Sequence, residues 1–334
     1  MKLVLHPGHS KCGSTSIQKS IIKNRKTLER FGYLIPDPQM RVRGDDGFNP
    51  NGETPRPFFR KVMEENDTKI LEEKLGNILS KKEHEDKTLL ISAENLVNQL
   101  KRPSGANIHY VFRSFFSEVK VVYYIKPFDE FLLSAWQQWG YKKGKSFDSF
   151  VDESIKTGNP SFKIAAEFFH NTYGRENLTV SLVKKGHYLG NGLLSDFFNK
   201  LKVGCDEVDL SFQESNISLN PALCELLSHC PSLFKDIHDE SVKEALSLHL
   251  SKEALAFQRM PGFVSEKTSK KIIESYKSDA ELVANRFLNG VSYESLFSYS
   301  LVASDDEHSS VDMTKKQMAI QTELMVSLIK SLSK

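Results

Sequence analysis

The sequence has no long apolar run and almost no net charge. No stretch approaches the roughly 20 apolar residues of a membrane-spanning helix, so we expect no membrane span. The apolar segment after Met1 is too short for the core of a secretory leader, which predicts a cytoplasmic protein. Lys and Arg total 45 and Asp and Glu total 43, a formal net charge of +2. This balance does not favour a nucleic-acid partner, and any anion site must be built locally.

Cysteine is scarce, and its spacing excludes two classes of protein. The four cysteines are Cys12, Cys205, Cys224 and Cys230, with no CxxC pair among them. A disulfide framework and a zinc site are therefore not expected, and we predict reduced thiols and no metal. Cys12 differs because it precedes a predicted helix, where a thiol usually has a lowered pKa. We expect it to be sensitive to oxidation without being catalytic.

Short apolar runs alternate with helical patterns along most of the chain. The runs at 2–6, 88–92, 119–125 and 178–183 are typical of buried parallel strands. Helical periodicity between them predicts an α/β fold with three layers and a parallel sheet of about four to five strands. Helices dominate from about residue 220 onward. We predict an α/β domain over 1–295 and a helical extension over 296–334.

One segment between these elements is rich in glycine, proline and charge. It reads "PDPQMRVRGDDGFNPNGETPRP" and covers residues 36–57. Loops of this length inside a compact domain are uncommon and usually functional. We predict a mobile loop that helps to shape a substrate site.

The first predicted strand runs into a loop with phosphate-binding character. In "GHSKCGST" the two glycines have the spacing of a Walker A loop, and such loops present backbone N–H groups to an anion. The lysine that should follow the second glycine is replaced by Ser14, and Lys11 stands earlier instead. A nucleoside triphosphate requires that lysine on its β and γ phosphates. The pattern therefore disfavours a nucleotide kinase, although it stays an alternative.

The loop resembles a motif of the bacterial sulfotransferase family. "HPGHSKCGSTSIQ" is similar to the loop that binds the donor's 5′-phosphosulfate in that family. Lys11, Gly13, Ser14, Thr15 and Ser16 match the motif, and Ser10 and Cys12 complete the loop. The resemblance implies a P-loop-type fold and a donor-binding role for these residues.

A second motif follows in the expected order along the chain. "VKVVYYIKPFDEFLLSAWQQWG" resembles the family's 3′-phosphate motif, with Lys126 and Ser134 eight residues apart (134 − 126). Lys126 stands where the family has arginine. Lysine keeps the positive charge but cannot form arginine's pair of parallel hydrogen bonds to a phosphate. Softer matches in "LVKKGHYLGNGLLSDFFNKL", "ESNISLNPALCELL" and "SYKSDAELVANRFL" extend the resemblance over residues 1–290.

The resemblance implies transfer of a sulfonate from 3′-phosphoadenosine 5′-phosphosulfate to a hydroxyl or amine, without a metal. Lys11 would neutralise the leaving phosphate, Ser134 would restrain Lys11, and Glu94, after the second predicted strand, would act as the base. Glu94 could instead cap the next helix or bind a loop cation. The acceptor is not readable, a carbohydrate is one class that the family suggests, and an oligomer is compatible. A non-catalytic nucleotide- or anion-binding protein is the other alternative.

Overall fold

The structure is a computed structural model that describes residues 1–211, 218–256, 263–298 and 308–332. Five strands form one parallel sheet in the order β2-β3-β1-β4-β5. This confirms the predicted fold class. The strands are β1 (Lys2–His6), β2 (Tyr33–Leu34), β3 (Thr88–Ser92), β4 (Val119–Ile125) and β5 (Leu178–Leu182).

Helices make up most of the remaining regular structure. A π-helical turn, Trp136–Gly140, continues the seventh helix. The α-helices are α1 (Ser14–Lys23), α2 (Arg25–Arg30), α3 (Arg56–Glu65), α4 (Lys69–Leu79), α5 (Asn95–Asn98), α6 (Pro103–Phe115), α7 (Phe128–Ala135), α8 (Phe147–Thr157), α9 (Phe162–Tyr173), α10 (Leu193–Lys200), α11 (Pro221–Ser228), α12 (Ser241–Ser247), α13 (Lys252–Leu255), α14 (Glu266–Phe287) and α15 (His308–Leu332).

The sheet is covered by helices on both faces. Neighbouring residues of a strand point to opposite faces, so the adjacent tyrosines of β4 report on both. The Tyr123 ring packs edge-on against Phe169 of α9, with ring centroids 5.5 Å apart. The Tyr124 hydroxyl donates a hydrogen bond of 2.6 Å to Asp196 of α10. Helices α9 and α10 therefore lie on opposite faces, which gives the three layers of the predicted fold.

The chain divides into two compact units. The first contains the whole sheet, and the second is helical and includes α11 to α13 and α15, which agrees with the predicted helical C-terminal region. The predicted division at residue 295 stays a prediction. Residues 299–307 and 333–334 of the predicted extension, and 214–217 of the third motif, lie outside the described residues. The units are Met1–Lys126, Phe162–Phe212 and Leu282–Ser292, and Pro127–Ser161, Gln213–Glu281 and Tyr293–Lys334.

Within the described ranges, no helix is both long enough and apolar enough to cross a membrane.

The long loop after β2 is held by two buried charged side chains. The Arg25 guanidinium, only 2% exposed, donates to the backbone oxygens of Asn49, Pro50 and Gly52 at 2.9–3.2 Å. The Asp37 carboxylate accepts hydrogen bonds from the Arg41 side chain and from backbone N–H groups, including that of Asn49. Mobility of residues 36–57 stays a prediction, and these contacts are what a movement would have to break.

Candidate functional site

Three neighbouring strands carry the predicted site residues at their carboxyl ends. β1 lies between β3 and β4 in the sheet. β1 leads into the loop 7–13, β3 leads to Glu94, and β4 leads to Lys126. Because the strands are parallel, all three ends meet at one edge, where the chain also crosses from one side of β1 to the other. Ligands of open α/β sheets bind at such a point.

The loop 7–13 turns sharply before α1 begins. Gly8, Lys11 and Gly13 all have positive φ, at 62°, 63° and 80°. The Cys12 N–H closes the turn by donating to the His9 carbonyl at 3.2 Å, so this amide is used within the loop. The N–H groups of Ser14 to Ser16 lead the first turn of α1, where a helix has no intrahelical acceptors for them. These amides, rather than that of Cys12, are the backbone donors that an anion could use.

Glu94 is joined to the loop by a side-chain hydrogen bond. The Ser14 hydroxyl donates to the Glu94 carboxylate, although 80 residues separate them in the chain. The Ala93 N–H donates to the His6 carbonyl at 3.1 Å, which extends the β1–β3 ladder and fixes Glu94 beside the loop. Glu94 precedes α5 but makes no capping hydrogen bond to it. Of the alternatives for Glu94, the structure therefore disfavours the capping role.

The charged groups of the site lie near the buried thiol of Cys12. Lys126, Glu94 and Lys11 all act electrostatically on this thiol. Cys12 is 1% exposed, and burial raises the pKa of its thiol above the ordinary value. The expectation of a lowered pKa is therefore wrong, because the side chain is buried in the core. Cys12 can belong to a donor site through its place in the loop, but not as a reactive thiol.

The other predicted residues differ in their access to solvent. Thr15 is exposed, and Ser10, Ser16 and Lys126 are half-buried. Ser134 is half-buried in α7 and belongs to the second compact unit, whereas all the others belong to the first. The structure thus brings the loop, Glu94 and Lys126 together, and the role of Ser134 stays a prediction.

Two histidines flank the loop from the interior. His6 shares a hydrogen bond of 2.7 Å with the Ser92 hydroxyl, and His9 Nδ1 donates to the Ser10 carbonyl at 3.2 Å. Burial lowers the pKa of His6 to about 3 and that of His9 to about 4. Both rings are therefore neutral near pH 7, and the positive charge at this edge comes from Lys11 and Lys126.

Leu193 is a neighbour of the loop that the sequence did not single out. A Cβ added at Gly13 would lie 2.2 Å from Leu193 Cδ2, the side chain that begins α10. Glycine at 13 is therefore favoured both by its positive φ and by this close approach. The match of Gly13 to the motif indicated the positive φ, but no local sequence pattern indicates the close approach of Leu193.

A cavity of about 320 Å³ lies away from this site, along the edge strand β5. Its charged side chains are already engaged, because Arg175 donates to the backbone oxygens of Leu178 and Arg286, and Lys200 pairs with Asp196. None of the predicted site residues lines it. The residues suited to binding an anion or transferring a proton therefore lie at the carboxyl edge of β3, β1 and β4 rather than in this cavity.

Comparisons of this chain with protein-family models, with curated proteins and with solved structures find no match. Its function is therefore argued from the residues of the site.

Proposed function

We propose that this protein is a sulfotransferase that moves a sulfonate from 3′-phosphoadenosine 5′-phosphosulfate to a hydroxyl or amine. The observation that carries the proposal is the meeting of Lys11, Lys126 and Glu94 at one sheet edge, around the loop that leads into α1. This combination offers two cations for an anionic donor and one carboxylate for a proton.

The residues of the loop fit the phosphate end of such a donor. Gly8 and Gly13 leave the backbone without Cβ atoms at two positive-φ positions, and the amides of Ser14 to Ser16 lead a helix N-terminus. Lys11 and Lys126 supply positive charge that is felt at Cys12, in the same loop. When bound, the donor supplies a sulfonate on a phosphate leaving group.

The proposed transfer needs one proton acceptor and one charge neutraliser. The acceptor oxygen forms a bond to sulfur as the bond from sulfur to the donor's phosphate oxygen breaks. Glu94 takes the proton that the acceptor hydroxyl loses, and Lys11 balances the charge left on the phosphate. Positioning and electrostatics of this kind carry most of the catalysis in related phosphoryl transfers.

Donor-product binding tests the proposal directly. Calorimetry with 3′-phosphoadenosine 5′-phosphate should show tighter binding than adenosine 5′-phosphate or ATP with magnesium. Lys11→Ala and Lys126→Ala should each weaken binding by roughly tenfold, the size of one charge-assisted hydrogen bond. Lys26→Ala, at an exposed lysine of α2, is the matched control and should bind normally.

The other outcomes of this experiment each have a meaning. Preference for ATP with magnesium would replace the proposal with a kinase-like function, and no nucleotide binding would overturn it. Tight binding that depends on the 3′-phosphate would justify a screen of hydroxyl and amine acceptors, beginning with carbohydrates.

Binding without turnover is a second candidate, and one contact favours it. Because Ser14 already donates to Glu94, the carboxylate has a structural task in holding the loop. If the donor binds tightly but no acceptor receives a sulfonate, the protein is a nucleotide-binding protein with this fold. The acceptor screen, rather than donor binding, therefore distinguishes a sulfotransferase from a nucleotide-binding protein without turnover.

A further inference from the structure

The contact between Ser14 and Glu94 has little space around it. Ser14 is 2% exposed, whereas Glu94 is half-buried and reaches solvent. A Cβ added at Gly8 would lie 3.1 Å from Ser14 Cβ and 3.4 Å from Glu94 Cγ. The serine is therefore enclosed by the loop and by Glu94, while the carboxylate has an open side. Of the two partners, Glu94 is the one that can move away.

The Ser14 hydroxyl has one proton to donate. An ionised carboxylate only accepts hydrogen bonds, and so does a fully ionised phosphate. Ser14 begins α1, at the helix end to which the proposed function brings the donor's phosphate. The hydroxyl can therefore donate to Glu94 or to the phosphate, but not to both at once.

We propose that Ser14 is a positioning residue that holds Glu94 while the site lacks donor and releases it when the donor's phosphate takes the hydroxyl proton. The inference rests on the proposed function. In this arrangement the Glu94 carboxylate becomes available to an acceptor only after the donor has bound. This favours an ordered reaction in which the donor binds first.

The charges around Glu94 support this exchange. Lys11 and Lys126 are the cations beside it, and the Cys12 thiol among them stays protonated because of its burial. A bound phosphate competes for these cations and repels the carboxylate. Without the hydrogen bond from Ser14, the Glu94 carboxylate has an oxygen open to the proton of the acceptor.

The test follows the carboxyl signal of Glu94 at constant pH by NMR of protein labelled with ¹³C in the glutamate carboxyl groups. Glu94→Gln assigns the signal by its disappearance. Wild type, Ser14→Ala and Ser14→Thr are each measured with and without saturating 3′-phosphoadenosine 5′-phosphate. Thermal unfolding of each variant confirms that it is folded before the measurement.

The expected result has two parts. Without ligand, Ser14→Ala should move the Glu94 carboxyl signal away from its wild-type position, because the carboxylate loses a hydrogen-bond donor. Ser14→Thr keeps the hydroxyl and should behave like wild type. With ligand, wild type and Ser14→Ala should give the same Glu94 signal, since Ser14 no longer donates to Glu94.

Two results would overturn the inference, and they are distinguishable. If the ligand binds but the Glu94 signal of Ser14→Ala still differs from that of wild type in the complex, Ser14 never releases Glu94 and the proposed function stands without this device. If wild type does not bind the ligand at all, the proposed function fails and the inference fails with it.

Discussion

Two loops leave carboxyl ends of the same sheet, and they use charge in opposite ways. The loop after β2 is organised around Arg25 and Asp37, which are buried and bonded to the surrounding backbone. The loop after β1 has Lys11 half-buried within it, with Lys126 and Glu94 at the adjoining strand ends. The first arrangement uses charge to fix the backbone, whereas the second leaves charge where a ligand can meet it.

The difference shows why charge alone does not identify a site. Removing a charge that holds the loop after β2 should cost stability, because buried backbone oxygens lose their donors. Removing one from the loop after β1 should cost binding or rate and leave the fold nearly unchanged. If variants that affect the two loops have the same effects on stability and on binding, this distinction between the loops is wrong.

The largest expected effect concerns Glu94 and the rate of transfer. Glu94→Gln removes the proposed base and should lower turnover by roughly two to four orders of magnitude with the acceptor that the screen identifies. Binding of 3′-phosphoadenosine 5′-phosphate should be retained, because no donor contact is lost. Glu85→Gln, at an exposed glutamate before β3, should turn over normally. Unchanged turnover in Glu94→Gln would remove Glu94 from the reaction.

The next effect is on stability and concerns Arg25 of α2, which holds the other loop. Arg25→Met removes the donors to four backbone oxygens and should lower the free energy of unfolding by about 3 kcal/mol in urea. Arg30→Met changes an exposed arginine of the same helix and should stay within about 0.5 kcal/mol. Equal losses in the two variants would mean that the buried hydrogen bonds do not hold the loop.

The strands were largely predictable from the sequence. Strands β1, β3 and β4 match the apolar runs at 2–6, 88–92 and 119–125, and β5 ends one residue before its run. A strand of a parallel sheet is buried on both faces, so its apolar run is continuous and easily recognised. β2 was missed because two residues are too few to form a pattern. One amphipathic stretch, 15–31, contains two helices, α1 and α2, separated at Asn24, whose side chain donates to the carbonyls of Ser20 and Asp209.

The site was predictable in its position more than in its contacts. The rule that ligands bind at the carboxyl ends of strands was enough to place Glu94 near the loop. Its hydrogen bond with Ser14 requires the strand order, which puts β3 beside β1 and which no local pattern contains. The burial of Cys12 and of Arg25 was missed for the same reason. Whether a polar side chain in a loop faces solvent or the core depends on packing partners that are distant in sequence.

A buried carboxylate of the second unit, Asp129, extends the comparison of buried charges to the pH dependence of stability. Among the residues that the structure describes, Asp129 has no guanidinium partner of the kind that Asp37 has, and it accepts from the Ser298 N–H at 2.9 Å. Burial raises the pKa of Asp129 to about 6, above the ordinary 3.8. The folded protein then binds more protons between about pH 4 and 6, so its stability should fall as pH rises through that window.

The size of this loss should be on the order of 2 kcal/mol, measured by urea unfolding at several pH values. Asp129→Asn should remove the pH-dependent loss, whereas Asp46→Asn, at an exposed carboxylate, should retain it. A wild-type stability that rises across the window would show that the Ser298 and Glu130 N–H groups outweigh burial.

The smallest expected change separates stability from binding at one residue. Lys11 has a φ of 63°, a conformation that costs a non-glycine residue about 1 kcal/mol or more. Lys11→Gly should therefore keep or raise the free energy of unfolding by up to ~1 kcal/mol, while binding of 3′-phosphoadenosine 5′-phosphate weakens by at least about tenfold. Lys202→Gly is the control, because this exposed lysine has a φ of 57° and lies outside the proposed site. It should show the same stability change and normal binding. If Lys11→Gly binds as tightly as wild type, the strained lysine does not serve an anion, and the contrast between the two loops loses its functional meaning.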